Sequence, residues 1–335
     1  MSADTFPIST STVTIIGAGP VGLFTALALA KAGIDVVVFD SEKDVLTSPR
    51  AMIYLTVVLD EFMKMGLYDD LLEAGYANET GLSWRKPGGQ VLAKLTGMPG
   101  HPVIQLGQHD VARIMLNHLR RHENVRVEFN TRLVEFEQSG ETVKAIIESG
   151  AERKTRKHTS QYLVGADGGK STVRHILGIP LEGFTWNDFD VVAANIDYDV
   201  ESLGWEPGNF IVDEQYWAVV ARLGKGSSWR VASGGLGLTT GFLDAALLGN
   251  VLKEIIKDGQ PLARLQEYGQ ERRYRFLEYT NKAAITNRKR LLSTASEDVE
   301  EREEFFAQLN ERNPAIFKRL LDEEFGISST VGIKV

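Results

Sequence analysis

The chain has 335 residues, 43% of them hydrophobic and 24% charged, enough to bury one large core or two modest ones. A formal net charge of −8 argues against a phosphate-tracking surface, so no nucleic-acid partner is expected. Zero cysteines exclude thiol nucleophiles, disulfides and cysteine-ligated metals.

The N-terminal residues lack a basic region followed by an apolar core, and no segment approaches the ~18 apolar residues of a membrane span. A cytoplasmic protein without a membrane span is expected. Val13–Ile16 is a β-branched run ending at Gly17; the apolar spacing Leu23, Leu27, Ala30 follows up to Gly33, and a second run, Val36–Phe39, ends at Asp40. This is the strand, turn, helix, strand order of a parallel βαβ unit. Val57–Met65 reads as a helix, and "GLSWR" and "VLAKL" as strands flanking Pro87-Gly88-Gly89. Apolar residues at 111, 114, 115 and 119 give Asp110–Arg121 one helical face. "VRVEF", "TRLVEFE" and "TVKAIIE" read as a meander and "YLVGAD" as a return strand. Residues 189–232 are strand-like throughout and predict an antiparallel sheet, in whose region Trp84, Trp186, Trp217 and Trp229 are core residues or pocket walls. From about 239 the pattern is helical to the end, with "SEDVEEREEFF" as a solvated helix face. No repeat or low-complexity linker separates the domains, so they are expected to interleave.

Gly17-Ala18-Gly19-Pro20-Val21-Gly22 matches GxGxxG between a buried strand and a helix. Gly17 permits the turn, Gly19 lets backbone approach a pyrophosphate, and Gly22 lets the helix pack closely, while free N–H groups and the helix dipole favour the anion. Asp40 stands 23 positions after Gly17, near the ~20 expected of the acid that binds an adenosine ribose. The pattern predicts a dinucleotide. An acid at this strand end repels a 2′-phosphate, which disfavours NADP in this site.

Three further stretches, "SPRAMIYLTVVLDEFMKMGL" (48–67), "YLVGADGGKSTVRHILGI" (162–179) and "GGLGLTTGFLDAALLGN" (234–250), resemble the group A FAD-dependent aromatic monooxygenases, the flavoproteins similar to para-hydroxybenzoate hydroxylase. The resemblance implies an α/β fold: a Rossmann-like FAD-binding domain on a parallel sheet, interleaved with an antiparallel-sheet substrate domain and a helical C-terminus. The pieces implied are 10–80 and 106–179 for FAD, 81–105 for a substrate-sheet hairpin, 180–232 for a truncated substrate sheet, and 233–335 for a flavin-contacting helix and C-terminal helices. It further implies that Gly17, Gly19, Pro20, Gly22 and Asp40 hold the ADP part of FAD, that Arg50 (after Pro49) lies near the flavin phosphates, and that Gln108 hydrogen-bonds FAD or caps the helix at 110. Asp167-Gly168 would serve FAD and an arriving NADPH or NADH, with Ser171 capping the next helix. Gly235-Leu236-Gly237, after Gly234, would lie beside the isoalloxazine, where helix N–H groups stabilise negative charge. The implied reaction is reduction of the flavin, addition of dioxygen, and oxygen transfer from a flavin hydroperoxide to a phenolic or polycyclic aromatic metabolite. No catalytic side chain is assigned. No metal is expected: His118 and His122 share a helix face but lack the intervening glutamate of a zinc-hydrolase helix.

One family segment is missing. Members place a Gly-Asp-Ala-Ala-His stretch shortly before the second glycine turn, whereas Trp229-Arg230-Val231-Ala232 stands here. This implies an internal deletion between about Ala232 and Ser233. The alternative reading is therefore a truncated, catalytically impaired or inactive FAD-binding homologue. A third, a flavin enzyme acting on double bonds, lacks the WxWxxP-type motif of a halogenase.

Overall fold

The computed structural model describes residues 8–328 apart from 49, 97–102, 151, 185–191, 225, 227 and 233–234. Pro49, Trp186, Ser233 and Gly234, singled out above, lie outside the described residues. In chain order the strands are β1 (Ile8–Ile16), β2 (Val36–Phe39), β3 (Ile53–Tyr54), β4 (Tyr76–Asn78), β5 (Leu82–Arg85), β6 (Val91–Leu95), β7 (Val103–Gln105), β8 (Val125–Glu128), β9 (Thr131–Ser139), β10 (Thr142–Ser149), β11 (Lys154–Gly165), β12 (Ala194–Asp197), β13 (Gly208–Ile211), β14 (Ala218–Arg222) and β15 (Ser228–Ala232). The helices are α1 (Pro20–Lys31), α2 (Thr56–Lys64), α3 (Tyr68–Ala74), α4 (Gln108–Leu119), α5 (Thr172–Ile176), α6 (Gly237–Asp258), α7 (Ala263–Arg275), α8 (Asn281–Leu292), α9 (Ser296–Asn310) and α10 (Pro314–Ile327).

The chain divides into two units, Met1–Thr47 with Val111–Trp186 and Ala245–Gln266, and Ser48–Asp110 with Asn187–Asp244 and Glu267–Val335. In the first, one sheet has the order β8-β2-β1-β11-β10-β9. The β-branched run of β2 is buried on both faces, Val36 to Phe39 all at 0% exposure, which is why it shows no polar alternation. α1 carries the chain from β1 to β2, and the two strands pair in parallel from Val13↔Val36 to Ile16↔Phe39.

The expected meander is corrected in one strand. "VRVE" pairs in parallel with β2, from Val36↔Val125 to Phe39↔Glu128. β8 follows the helix α4, and a strand reached through a crossover helix joins a sheet in parallel. The antiparallel meander consists of β9, β10 and the first part of β11, where Val143↔Ser160 is the last pair. The rest of β11 runs beside β1 as far as Ile16↔Gly165. Among the described residues, Gln161–Gly165 thus has a strand on one side only; Gln161 and Gly165 are exposed and Tyr162 to Val164 half-buried, beside the buried residues Val13 to Ile16 of β1.

His158 of β11 is fully buried, its ring edge-on to Phe39 at 5.1 Å. Nδ1 shares a hydrogen bond with Ser9 Oγ at 2.8 Å and Nε2 one with Ser11 Oγ at 2.9 Å, which suits a neutral ring that donates once and accepts once. Burial, aided by Arg156 and Arg126, pushes its pKa from 6.5 down to about 4. The unfolded chain therefore takes up a proton that the folded chain refuses, and stability should fall as pH drops from about 6.5 to about 4 and then stop responding to this group. The loss amounts to about 3 kcal/mol at 1.36 kcal/mol per pH unit. Denaturant titrations across that window should show this slope, and His158→Gln should flatten it. An equal slope in the variant would remove the assignment.

The second unit holds a six-stranded sheet, β12-β15-β14-β13-β5-β6, and a three-stranded one, β3-β7-β4. The expected antiparallel pairing holds for every neighbour in the larger sheet except β13 and β5, which are parallel. Register places Trp84, Phe210, Val219 and Ala221 on one face, packed with Phe305, Phe306, Leu309 and Ile316 of α9 and α10. The opposite face gathers Ile211, Val220 and Trp229 with Val200. The charged α9 is solvated along its Glu-rich side while its two phenylalanines close the core, at 2% and 7% exposure.

Candidate functional site

The turn between β1 and α1 is built by contacts that glycine alone allows. Gly17, at φ +110°, donates its N–H to Phe39 O at 2.8 Å, and a Cβ there would lie 2.4 Å from Ala166 O. A Cβ on Gly22 would lie 1.9 Å from Gly17 O, so the helix start sits directly on the turn. Gly19 differs: among the described residues nothing stands within 4 Å of the position its Cβ would take. It is the N-cap of α1, with Pro20 following, no side-chain cap and no acid in the first turn. The N–H groups of Val21 and Gly22 precede the first helical bond, Leu23 N–H to Gly19 O at 2.9 Å. Open space over an uncapped N-terminus of a 12-residue helix is a seat for an anion.

Asp40, at the end of β2, tightens this turn. Its Oδ2 accepts the Ala18 N–H at 2.5 Å and its Oδ1 the Glu42 N–H at 2.8 Å. Each oxygen retains a lone pair for a hydroxyl. The carboxylate thus fixes the amide next to Gly19 as well as being available to a ribose.

Asp167 is more heavily engaged than its sequence suggested. Oδ1 accepts the Ser171 hydroxyl at 2.6 Å, and Oδ2 accepts the N–H groups of Thr172 at 2.6 Å and Val173 at 3.2 Å. Ser171 Oγ in turn accepts the Arg174 N–H at 3.0 Å, the expected cap of α5. Asp167 and Ser171 therefore satisfy the start of α5 jointly. Gly168, at φ +80°, turns the chain, with open space over it.

The remaining sequence candidates belong to the second unit. Arg50 is exposed, its Nε donating to Ser48 Oγ at 3.3 Å. Gln108 heads α4, and its N–H donates to Ala51 O at 3.0 Å, which ties it to the segment of Arg50. Among the described residues, Gly235 and Gly237 have nothing within 4 Å of a Cβ position, and Leu236 O accepts the Thr240 N–H at 2.9 Å to begin α6, a 22-residue helix. This reproduces, at a second helix, the open glycine start seen at α1.

Sequence reasoning passed over Arg230, which the fold makes prominent. It is fully buried on β15, and its Nη1 donates to Arg50 O at 2.9 Å and Ala51 O at 3.0 Å. The signal was an arginine inside the apolar run "SSWRVA", a residue type that is rarely buried without a purpose.

Comparison with known proteins gives a consistent result. The FAD binding domain family matches residues 10–214. Para-nitrophenol 4-monooxygenase of Pseudomonas sp. (strain WBC-3) is 30% identical over 349 positions, covering 82% of this chain and 86% of that protein. The 6-hydroxy-3-succinoylpyridine 3-monooxygenase of Pseudomonas putida (strain DSM 28022 / S16) is 28% identical, with 83% and 88% covered. Among solved structures, the p-nitrophenol 4-monooxygenase of Pseudomonas putida DLL-E4 superposes with a TM-score of 0.90 at 26% identity, over 96% of this chain and 99% of that one.

Proposed function

Because the chain belongs to the FAD binding domain family of aromatic monooxygenases, we propose that it hydroxylates a phenolic or polycyclic aromatic metabolite, consuming NADPH or NADH and dioxygen. It is an FAD-dependent oxidoreductase. No helix among the described residues is long and apolar enough to cross a membrane, and a cytoplasmic location is part of the proposal. The observation that carries the reading is the contrast between Gly19, which faces open space, and Gly17 and Gly22, which are walled in, at a helix start with no cap of its own.

Bound FAD would supply acceptance of a hydride and activation of dioxygen for transfer of one oxygen atom to the ring. The protein's part is binding and placement. The N–H groups of Val21 and Gly22 hold the pyrophosphate, and Asp40 orients the ribose while keeping the Ala18 amide in place. Arg50, Gln108, Asp167, Gly168 and the Gly235-Leu236-Gly237 turn are proposed further contacts of the cofactor. Asp40→Ala should weaken FAD binding by about 1–3 kcal/mol, the cost of a hydrogen bond to a charged group. Asp40→Asn, which keeps one acceptor, should fall between. Equilibrium titration by flavin fluorescence reads both, and an unchanged affinity would remove Asp40 from the site.

Adding FAD to purified chain tests the function as a whole. A yellow complex whose NADPH oxidation is stimulated by a phenol supports the proposal, and a colourless preparation opposes it.

A second reading, an impaired homologue with an internal deletion, has its own observation. The match to the strain WBC-3 enzyme spans 349 positions, more than the whole chain, yet uses 82% of its 335 residues, about 275, so about 74 positions of that relative have no counterpart within the match. The open edge at Gln161–Gly165 is where a neighbouring strand would fit. The coding sequence around codons 232 and 233 tests this: an in-frame segment there would supply the absent strand, and a continuous reading frame in every transcript would oppose a full-length form.

A further inference from the structure

The start of α6 brings no side chain that could anchor it, because the turn Gly235-Leu236-Gly237 is glycine on both sides of one leucine. Its anchors stand about one and two turns further on. Thr240 and Asp244 are four residues apart, on one face of the helix. Thr240 Oγ1 shares a hydrogen bond with Thr280 Oγ1 at 3.2 Å, and Asp244 Oδ1 accepts the Nε–H of Arg272. Thr240, Thr280 and Arg272 are all buried. Because 240 pairs with 280 and 244 with 272, α6 meets an antiparallel partner.

That partner is one continuous helical run, α7 and α8 joined by a π-helical turn, Phe276–Thr280. Eight residues of regular α-helix would carry Thr280 about 80° round the axis from Arg272, off the face that meets α6. The wider π turn advances less per residue and brings the two side chains back into line. The same turn seats the end of α10. A Cβ on Gly326 would lie 2.2 Å from the Tyr279 ring, Arg275 Nη1 donates to Gly326 O at 3.2 Å, and Arg272 Nη1 donates to Ile327 O at 3.0 Å. Arg272 thus holds α6 and the end of α10 at once, and its charge answers the Asp244 carboxylate in the first half of α6. We propose that Arg272 and Thr280 are positioning residues for the flavin ring: they set the direction of the α6 start, and with it the aim of the N–H groups that follow Gly235-Leu236-Gly237. This rests on the reading that the turn lies beside the isoalloxazine. Aimed amides stabilise the reduced, negatively charged ring more than the oxidised one, and tilting them loses that difference. Removing Arg272 also leaves the Asp244 charge unanswered, which acts in the same direction.

Two measurements on the full chain test this, hydrogen exchange without FAD and the reduction potential with it. In Arg272→Met and in Thr280→Val, exchange at the amides of residues 240–244 should quicken at least tenfold, while that of β13 and β14 stays as in wild type. Arg272→Lys, which keeps a charge beside Asp244, should stay within threefold. Arg272→Met should also weaken reduced FAD at least tenfold relative to oxidised FAD, which lowers a two-electron potential by about 30 mV, and Arg272→Lys should recover most of that loss. Thr280→Val, which gives up a single hydroxyl, should move the ratio the same way by at least threefold, and it carries both measurements if Arg272→Met does not fold. A merely structural role would weaken both forms of FAD alike and leave the potential where it was, and that result overturns the proposal. Unchanged exchange at residues 240–244 overturns it equally. Gly235→Val separates this proposal from the reading beneath it. If that variant moves the potential and the Arg272 and Thr280 variants do not, the proposal alone fails; if it leaves both potential and FAD affinity untouched, the turn is not beside the ring, and the reading fails together with the proposal.

Discussion

Gly19→Val should yield a chain that folds normally and retains no FAD, whereas Gly22→Val should not fold at all. The backbone at Gly19 has φ −69° and ψ 174°, an extended conformation open to any residue, and no atom of the described residues lies within 4 Å of its Cβ position. Valine there should change stability by no more than about 0.5 kcal/mol, as at an ordinary surface site. It would, however, place methyl groups in the space where the pyrophosphate has to meet the α1 amides, and affinity for FAD should drop at least about 100-fold, or about 2.7 kcal/mol. At Gly22 the added carbon would stand 1.9 Å from Gly17 O, inside any permitted contact, and the obstacle is backbone that is itself hydrogen-bonded to Phe39 and closely packed on Ala166. Relief requires lifting α1 off the sheet, a loss of more than about 4 kcal/mol. Circular dichroism melts and flavin retention separate the two variants. Full flavin retention by Gly19→Val would show that nothing binds over the turn.

The second large effect concerns the edge of β11. In a parallel ladder, alternate residues direct their N–H groups to alternate neighbours, so those of Gln161–Gly165 that point away from β1 have no strand to receive them among the described residues. Their hydrogen exchange should be fast, beside slow exchange at Val13, Ile15 and Val36–Phe39, which are fully buried. If, as the second reading has it, the unmatched positions of the strain WBC-3 enzyme fall between Ala232 and Ser233, inserting them there should protect those amides. It should also raise stability by about 3 kcal/mol, at about 1 kcal/mol for each of a few ladder hydrogen bonds, and tighten FAD. Slow exchange at Gln161–Gly165 in the unmodified chain would mean that the edge is already covered and that no strand is missing.

How much of this was legible in advance depends on the length and isolation of each pattern. The βαβ unit was readable because two β-branched runs, a glycine turn and a helical spacing follow one another, and each is explained by the same buried sheet. β3, β4 and β7 went unread because strands of two or three residues carry no periodicity. The partner of "VRVEF" is not written in its own alternation, which is the same whether it pairs with β9 or β2; only the crossover through α4 decides. Asp167 shows the limit for site residues. Its motif marks it as special, but the three bonds that it accepts, from the Ser171 cap and the first two amides of α5, follow from a local fold that the motif does not specify. Arg230 was hidden for another reason: Trp229 and Arg230, on opposite faces of β15, are both buried, so no polar side of the strand marks the arginine.

The most direct measurement is the structure of the chain after exposure to excess FAD. The account predicts diphosphate density within hydrogen-bonding distance of the Val21 and Gly22 amides, above Gly19, with Asp40 reaching the ribose. A well-ordered β1–α1 turn with nothing over it would contradict the account.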